Sequence, residues 1–421
     1  MPRWRGMDGI SCLQAGEEVK RVTDDQHGPR PPVVGMVGAG QLARMTCQAA
    51  IGLGIGFRVL AGSATDSAAL VCAGTVTGDY TRLRDLLAFA RGCDVLTFDH
   101  EHVPAGHLAE LEAAALAAVR PGRAALRYTQ DKLAMRERLG ALGVPCPRYA
   151  PVTDLAGVTA CAAEWGWPVV LKAVTGGYDG RGVWVCRTPG EAAAVLAHPV
   201  AVFAEEHVGF EAELAAMVAR SPHGQGAAYP VVQTVQRDGV CHQVLAPAPG
   251  LPASLSRDAQ RMALELAAEL DVTGLLAVEL FAAGGSLLVN ELATRPHNSG
   301  HWTIEGARTS QFEQHLRAVL DLPLGDPRRA APHAVTANVF GAGAPGGSPH
   351  RVNAASPDIF ARYEHVMAAD PGVKVHLYGK QVRPGRKIGH VTVLGDDPAV
   401  LRHRAARAAA YLATGKEEAD E

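Results

Sequence analysis

The stretch Asn290-Glu291-Leu292-Ala293-Thr294-Arg295-Pro296-His297-Asn298-Ser299-Gly300-His301-Trp302 decides how this chain is read. It leaves an apolar run, Leu287–Val289, with the carboxylate Glu291. It then carries Arg295, His297, Asn298 and His301 on a backbone broken by Pro296 and Gly300. Polar groups this dense beside a buried-type strand are costly unless a ligand or an ion satisfies them. A solvated loop is the plain alternative.

Working upstream, a second apolar run, Leu275–Phe281, joins the first through Gly284-Gly285, which predicts a hairpin. Glu279 interrupts one run and Glu291 the other. A plain two-residue loop would set Glu279 against Asn290. An odd-numbered loop or a bulge would set the two glutamates opposite each other, about 5 Å apart. Two carboxylates so placed repel and need a hard cation, in practice magnesium on a nucleotide. That second register is the expected one.

Further upstream, Trp167–Lys172 reads as a buried strand ending in a lysine. The loop Thr175-Gly176-Gly177-Tyr178-Asp179-Gly180-Arg181-Gly182 follows, then a strand over Val183–Cys186. Its glycines let backbone N–H groups approach an anion and let the loop close over it. With Lys172 as a point charge beside it, a nucleotide polyphosphate is the natural guest. No GK[ST] opens a helix here, so this is not a Walker A loop, and a flexible hairpin is the rival reading. Val202–Val208, which includes Glu205, Glu206 and His207, runs into a polar hinge.

Near the start, Val33–Val37, Gly38-Ala39-Gly40 and a helix opening at Gln41 make a Rossmann-like strand, turn and helix. A dinucleotide would want an acid after the second strand, Phe57–Leu60, but Ala61-Gly62-Ser63 stand there, which argues against NAD. The helix N-terminus could still hold a phosphate. The strand Asp94–Phe98 ends in Asp99-His100-Glu101-His102, placed to face a ligand crevice. Helices are expected over 106–119, over 129–142 with Thr129 as N-cap, over 256–270 with Ser256 as N-cap, and over 306–320. Past 326 a small third unit is expected, with strands near 333–340, 373–378 and 387–394 and a helix over 398–412. Between two of its strands lies a loop, Gly379–Lys387, with four cations: Lys380, Arg383, Arg386 and Lys387. Its proline and glycine favour a fixed shape that suits a small phosphate.

Composition sets the outer limits. The chain has 421 residues, 48% of them hydrophobic and 20% charged, as in an ordinary soluble globular protein. A net charge of -3 argues against general affinity for nucleic acid and gives no membrane signal. No apolar run reaches the roughly 18–20 residues of a membrane span. The eight cysteines form no CxxC pair and no zinc spacing, as expected of reduced thiols in a cytoplasmic protein. The expected layout is a disordered tail over 1–31, domains over 32–128, 129–326 and 327–412, and a second tail over 413–421.

The order of these motifs resembles the ATP-grasp enzymes, and within them the 5-(carboxyamino)imidazole ribonucleotide synthetase family of purine biosynthesis. The likeness covers about Pro32 to Leu412. Its specific parts are GGYDGRG, NELA followed by RPHNSGHW, and VRPGRK. Three departures stand out: Asp99-His100-Glu101 where the family has acid–aromatic–acid, Thr294 where it often has proline, and the additional N-terminal tail of about 30 residues. The resemblance implies an α/β and α+β ATP-grasp fold with a Rossmann-like pre-ATP-grasp domain, a mobile lid and a small C-terminal β-rich domain, assembled as a homodimer. It implies ATP contacts at Arg127, Lys172, Gly176, Gly177, Tyr178, Asp179, Gly180, Arg181 and Gly182. Glu205, Glu206, His207 and Val208 would read adenine, and Glu213 would hold the ribose. Gln233, Asn290 and Glu291 complete the implied nucleotide site, and Glu279 with Glu291 the magnesium site. Substrate contacts are implied at Gln41, Glu101, Tyr178, Asp179, Arg295, His297, Asn298, His301, Lys380, Arg383 and Arg386. The catalytic set would be Asp179, Arg181, Lys172 and His297. The implied reaction is ATP- and bicarbonate-dependent carboxylation of 5-aminoimidazole ribonucleotide through carboxyphosphate. Which of His297 and His301 meets the imidazole stays open. Three rivals remain: another ATP-grasp carboxylase or formyltransferase, an NAD-dependent dehydrogenase, and an inactive nucleotide-binding protein.

Overall fold

The structure is a computed structural model that describes residues 30–177, 182–341 and 357–416. Tyr178, Asp179, Gly180 and Arg181, and most of both expected tails, lie outside the described residues. Among the described residues the strands form three sheets.

The first sheet contains β1 (Val33–Val37), β2 (Gly56–Ala61), β3 (Gly74–Thr77), β4 (Val95–Phe98) and β5 (Ala118–Val119), all parallel, in the order β3-β2-β1-β4-β5. The near-continuous burial of β1 and β4 is what a parallel sheet covered on both faces requires. The helix expected over 106–119 stops at Ala114, because Ala118-Val119 pairs with Val95-Leu96 instead. Sheet pairing here overrides the helical propensity of an Ala- and Leu-rich run. β3 and the helix Leu83–Ala90 were not anticipated.

The glycine turn after β1 does something other than expected. The Asp99 carboxylate accepts from the Gly40 N–H, so the helix N-terminus offered to a phosphate is capped from within the chain. A β-carbon on Gly40 would stand 2.5 Å from Asp99 Oδ2, and one on Gly38 2.8 Å from His100 Cδ2. These glycines make room for two side chains of β4's outgoing loop.

The second sheet has β6 (Tyr149–Pro151), β7 (Val169–Ala173), β8 (Val183–Cys186) and β9 (Val202–Glu206), antiparallel, in the order β6-β9-β7-β8. Thr129 does not cap the helix that precedes it. Thr129 ends the helix Arg123–Gln130, and Asp131 caps the next one, Lys132–Ala141, by accepting from Ala134 N–H. Gly143 closes the turn beyond at φ 68°.

The third sheet holds β10 (Ala212–Arg220), β11 (Gly226–Ala228), β12 (Val232–Arg237), β13 (Val240–Ala246), β14 (Gly274–Ala283), β15 (Ser286–Ala293), β16 (His333–Phe340), β17 (Lys374–Leu377) and β18 (Lys387–Gly395). Its order is β15-β14-β10-β12-β13-β16-β18-β17, with β11 beside β10. The C-terminal strands therefore extend the central sheet through the β13–β16 pairing rather than closing a sheet of their own. Ser256 lies inside the helix Ala253–Glu269 and caps nothing. The helix expected over 306–320 is two: Thr303–Gly306, and Gln311–Val319 capped by Ser310. The helix Pro357–Ala369 was not foreseen.

The hairpin β14–β15 has a two-residue loop, Gly284-Gly285, with both glycines at positive φ, as a type I′ turn requires. Pairing runs from Ala283 opposite Ser286 to Leu280 opposite Val289. A bulge then skips Asn290 and sets Glu279 opposite Glu291. The predicted register is present, and the bulge rather than the loop creates it.

Candidate active site

The three sheets meet at a cavity of about 750 Å³. One wall of it is built on three buried charges. Lys172 near the end of β7 and Glu205 in β9 lie on adjacent strands, two positions apart in register, and Lys172 Nζ lies 2.5 Å from Glu205 Oε1. Arg136, with its side chain fully buried, donates to Glu205 Oε2 through Nε at 2.9 Å and Nη2 at 2.7 Å. Arg136 also donates to the carbonyls of Val289 at 3.1 Å and Asn290 at 2.8 Å. Lys172 donates to Asn290 Oδ1 at 2.9 Å. Burial drives the Lys172 pKa down, against the pull of Glu205. Burial also opposes ionisation of Glu205, but Lys172 and Arg136 outweigh it and hold that carboxyl below its ordinary range. Of the expected hinge residues, Glu205, Glu206, His207 and Val208 all line the cavity, as do Gly176 and Gly177.

Beside this triad lie the carboxylates of the third sheet. Glu291 is paired with Lys132, and Glu279 Oε1 lies 3.2 Å from His297 Nε2. Glu213, two positions along β10 from the residue that faces Glu279, is pushed up to about 7 by burial and then by the charge of Glu279. Three carboxyls thus stand on adjacent strands, two of them already facing a cation or a histidine: Glu291 faces Lys132 and Glu279 faces His297. Carboxylate oxygens are the donors a hard divalent cation takes, and Glu279 and Glu291 would be the residues to hold one, although among the described residues no three or more His, Cys, Asp or Glu side chains are grouped as a metal site.

The other half of the cavity is lined by Gln41, Glu101, Arg295, His297, Asn298 and His301. Arg295 Nε lies 3.0 Å from Glu101 Oε2. Asn298 Nδ2 and His301 Nε2 are buried without a hydrogen-bond partner. Lys380 donates to Gln41 Oε1, which joins the basic loop to the first helix.

Some expected residues lie elsewhere. Arg127 is exposed on its helix and off the cavity wall, as are Arg383 and Arg386 on the rim of the basic loop. Gln233 points away, because side chains alternate along β12 and it is Thr234 and Gln236 that line the cavity. Gly182 sits just off the wall, its carbonyl accepting from Ala173 N–H. Sequence reasoning missed Lys132, Arg136 and Lys387, which do line it. Lys387 stood in the basic loop but was not singled out. Nothing in a charged helix marks Arg136 as buried.

Comparison with known proteins agrees with this geometry. Residues 32–130 match the family model of the ribonucleotide synthetase preATP-grasp domain, and residues 137–312 the ATP-grasp domain. Residues 334–404 match the phosphoribosylaminoimidazole carboxylase C-terminal domain. The chain is 56% identical over 390 residues to the N5-carboxyaminoimidazole ribonucleotide synthase of Mycobacterium tuberculosis, covering 91% of this chain and 89% of that one. The chain belongs to the N5-carboxyaminoimidazole ribonucleotide synthase family. The Corynebacterium ammoniagenes member is 47% identical over 398 residues, covering 92% and 93% of the two chains. Among solved structures, the Thermus thermophilus synthetase has a TM-score of 0.78 at 35% identity, over 92% of this chain and 100% of that one. The Aspergillus clavatus enzyme, solved with ADP and 5-aminoimidazole ribonucleotide, has a TM-score of 0.80 at 30% identity, over 91% and 99%. The fold is thus the ATP-grasp fold with its preATP-grasp and C-terminal partners. Among the described residues, no helix is long and apolar enough to cross a membrane.

Proposed function

We propose that this protein is an ATP-dependent carbon–nitrogen ligase that carboxylates the exocyclic amine of 5-aminoimidazole ribonucleotide with bicarbonate, in purine biosynthesis. The observation that carries the reading is the run from Asn290 to His301. Its first residues join the Lys172–Glu205 and Glu279–Glu291 groups, and its last line the opposite half of one cavity. One stretch of backbone thus holds phosphate-binding and acceptor-binding side chains in fixed relation, as group transfer between two bound partners requires.

A bicarbonate oxygen attacks the terminal phosphorus of ATP, the bond to ADP breaks, and carboxyphosphate forms. The amine nitrogen then attacks the carboxyl carbon, directly or as carbon dioxide freed within the site; phosphate leaves, and the amine loses one proton. Lys172, Gly176 and Gly177 bind the phosphates, and the edge from Glu205 to Val208 reads the adenine. Glu213 accepts from the ribose. Glu279 and Glu291 would hold magnesium, which supplies charge neutralisation at the transferring phosphoryl group. Arg295, Asn298, His301, Gln41 and Lys380 orient the ribonucleotide. Asp179 takes the amine proton, and Arg181 holds the bicarbonate-derived group. Exclusion of water by the Thr175–Gly182 loop protects the carboxyphosphate. The same reading makes the protein a cytoplasmic homodimer; light scattering on the purified protein tests the dimer, and fractionation of the source cells the compartment.

One assay separates the rivals: ADP release with bicarbonate, with and without 5-aminoimidazole ribonucleotide. Strict dependence on the ribonucleotide is expected. ADP release indifferent to it, or none at all, overturns the reading.

A further inference from the structure

His301 lines the acceptor half of the cavity, yet a hydrogen bond reaches only one of its two ring nitrogens. Its ring is stacked between Phe312, at 5.8 Å, and His390, at 4.9 Å between centroids. Its Nδ1 lies 3.1 Å from Gln311 Nε2, and its Nε2 has no hydrogen-bond partner. A histidine so placed can offer the cavity either a donor or an acceptor, depending on which nitrogen carries the proton.

Gln311 removes that ambiguity. Its side chain meets two backbone groups whose roles cannot change. The His297 N–H can only donate, and it lies 2.8 Å from Gln311 Oε1. The His297 carbonyl can only accept, and it lies 2.8 Å from Gln311 Nε2. The amide is therefore oriented by the main chain, and its second N–H faces His301 Nδ1. Nδ1 must accept, so the single proton of the neutral ring is on Nε2. Burial, and then the nearby His297, Lys387, His376 and Lys380, keep the ring neutral. Gln311 is itself fully buried, and its own N–H donates to Thr303 Oγ1 at 2.8 Å. Thr303 in turn donates to the Gly300 carbonyl at 2.6 Å. Gly300 leaves the space this requires, since a β-carbon there would stand 2.6 Å from Gln311 Oε1.

We propose that Gln311 is a positioning residue that fixes His301 as an Nε2–H donor, and that this donor binds a hydrogen-bond acceptor of the imidazole ribonucleotide. The second half rests on the proposed function; the first does not. The arrangement gives His301 a role distinct from that of His297. The His297 ring accepts from Ser299 N–H at Nδ1 and turns Nε2 toward Glu279, on the carboxylate side.

The test uses the whole enzyme labelled with ¹⁵N-histidine, the His301 signals being assigned by their loss in His301→Gln. Long-range ¹H–¹⁵N correlation should find Nδ1 unprotonated and Nε2 protonated in the ligand-free wild type. A proton on Nδ1 overturns the proposal, whatever the enzyme catalyses. Saturation with 5-aminoimidazole ribonucleotide, without ATP, should move the Nε2 signal; no movement overturns the binding half. In Gln311→Glu the new carboxylate cannot donate and draws the proton to Nδ1. The KM for the ribonucleotide should then rise roughly 10- to 100-fold while the KM for ATP stays within about twofold. Equal changes in both, or in neither, also overturn the binding half. If the wild type shows no ribonucleotide-dependent turnover, the proposed function and the binding half fall together, and the tautomer result stands alone.

Discussion

Replacing Arg136 by Met removes the charge that ties three elements together while keeping an unbranched apolar stem. In the wild type that side chain is wholly buried and donates to Glu205 Oε2 and to the carbonyls of Val289 and Asn290. The substitution leaves Glu205 with Lys172 as its remaining close cation and takes the donor from two carbonyls beside Glu291. Breaking one side of a buried ion pair costs about 3–5 kcal/mol, and the carbonyls fall within the same non-additive total. With an unfolding entropy of roughly 2.1 cal/mol/K per residue, a chain of this size loses about 3–6 °C of melting temperature. Function should change as well. Glu205, left with one close cation, competes more strongly with the phosphates for Lys172, so the KM for ATP should rise about tenfold, or ~1.4 kcal/mol. The sign of the pH effect follows from the lowered pKa of Glu205. Its stabilising contribution is present above the unfolded carboxyl pKa and is lost as pH falls through the folded value. Arg136→Met raises that folded value, so acid unfolding should begin at higher pH. Differential scanning calorimetry across pH and steady-state kinetics check both effects. A melting temperature lowered by less than about 1 °C together with an unchanged KM for ATP would refute the reasoning.

Two further predictions concern the carboxylates. Glu279→Gln should abolish the extra thermal stabilisation that magnesium adds to ATP, while ATP alone still stabilises to a smaller degree; a preserved magnesium increment would remove Glu279 from the metal site. Glu213, pushed up to about 7, binds its proton more tightly folded than unfolded. It therefore favours the fold at low pH, and that contribution disappears as pH rises from an ordinary carboxyl pKa of roughly 4.3 to about 7. In metal-free protein, Glu213→Gln should flatten the decline in denaturant stability over that window, and identical slopes for the two proteins would count against it.

The local elements were largely legible where pattern and chemistry coincide. Apolar runs bounded by glycine announced β1, β7 and the β14–β15 hairpin, because alternation and turn chemistry act over a few residues. Cap choice was less legible. Asp131 competed with Thr129, and Ser310 broke a run that looked continuous. The glycine turn at Gly38–Gly40 was read as able to serve a phosphate, and the room it makes is filled by Asp99 and His100 from the end of a strand far along the chain.

What the sequence by itself determined is the inventory. Glu279 and Glu291 interrupt two apolar runs, a lysine ends a strand before a glycine loop, and the Arg295–His301 polar groups follow at once. Those features lie within single segments, so composition and spacing expose them. Only the tertiary structure decided how they are wired. Arg136 is buried because three elements converge on it. Gln233 is turned away and Thr234 inward by the facing of one strand. The tautomer of His301 is set by an amide ten residues on, itself oriented by the backbone of His297. Burial, strand facing and the direction of a hydrogen bond depend on neighbours that sequence order does not supply.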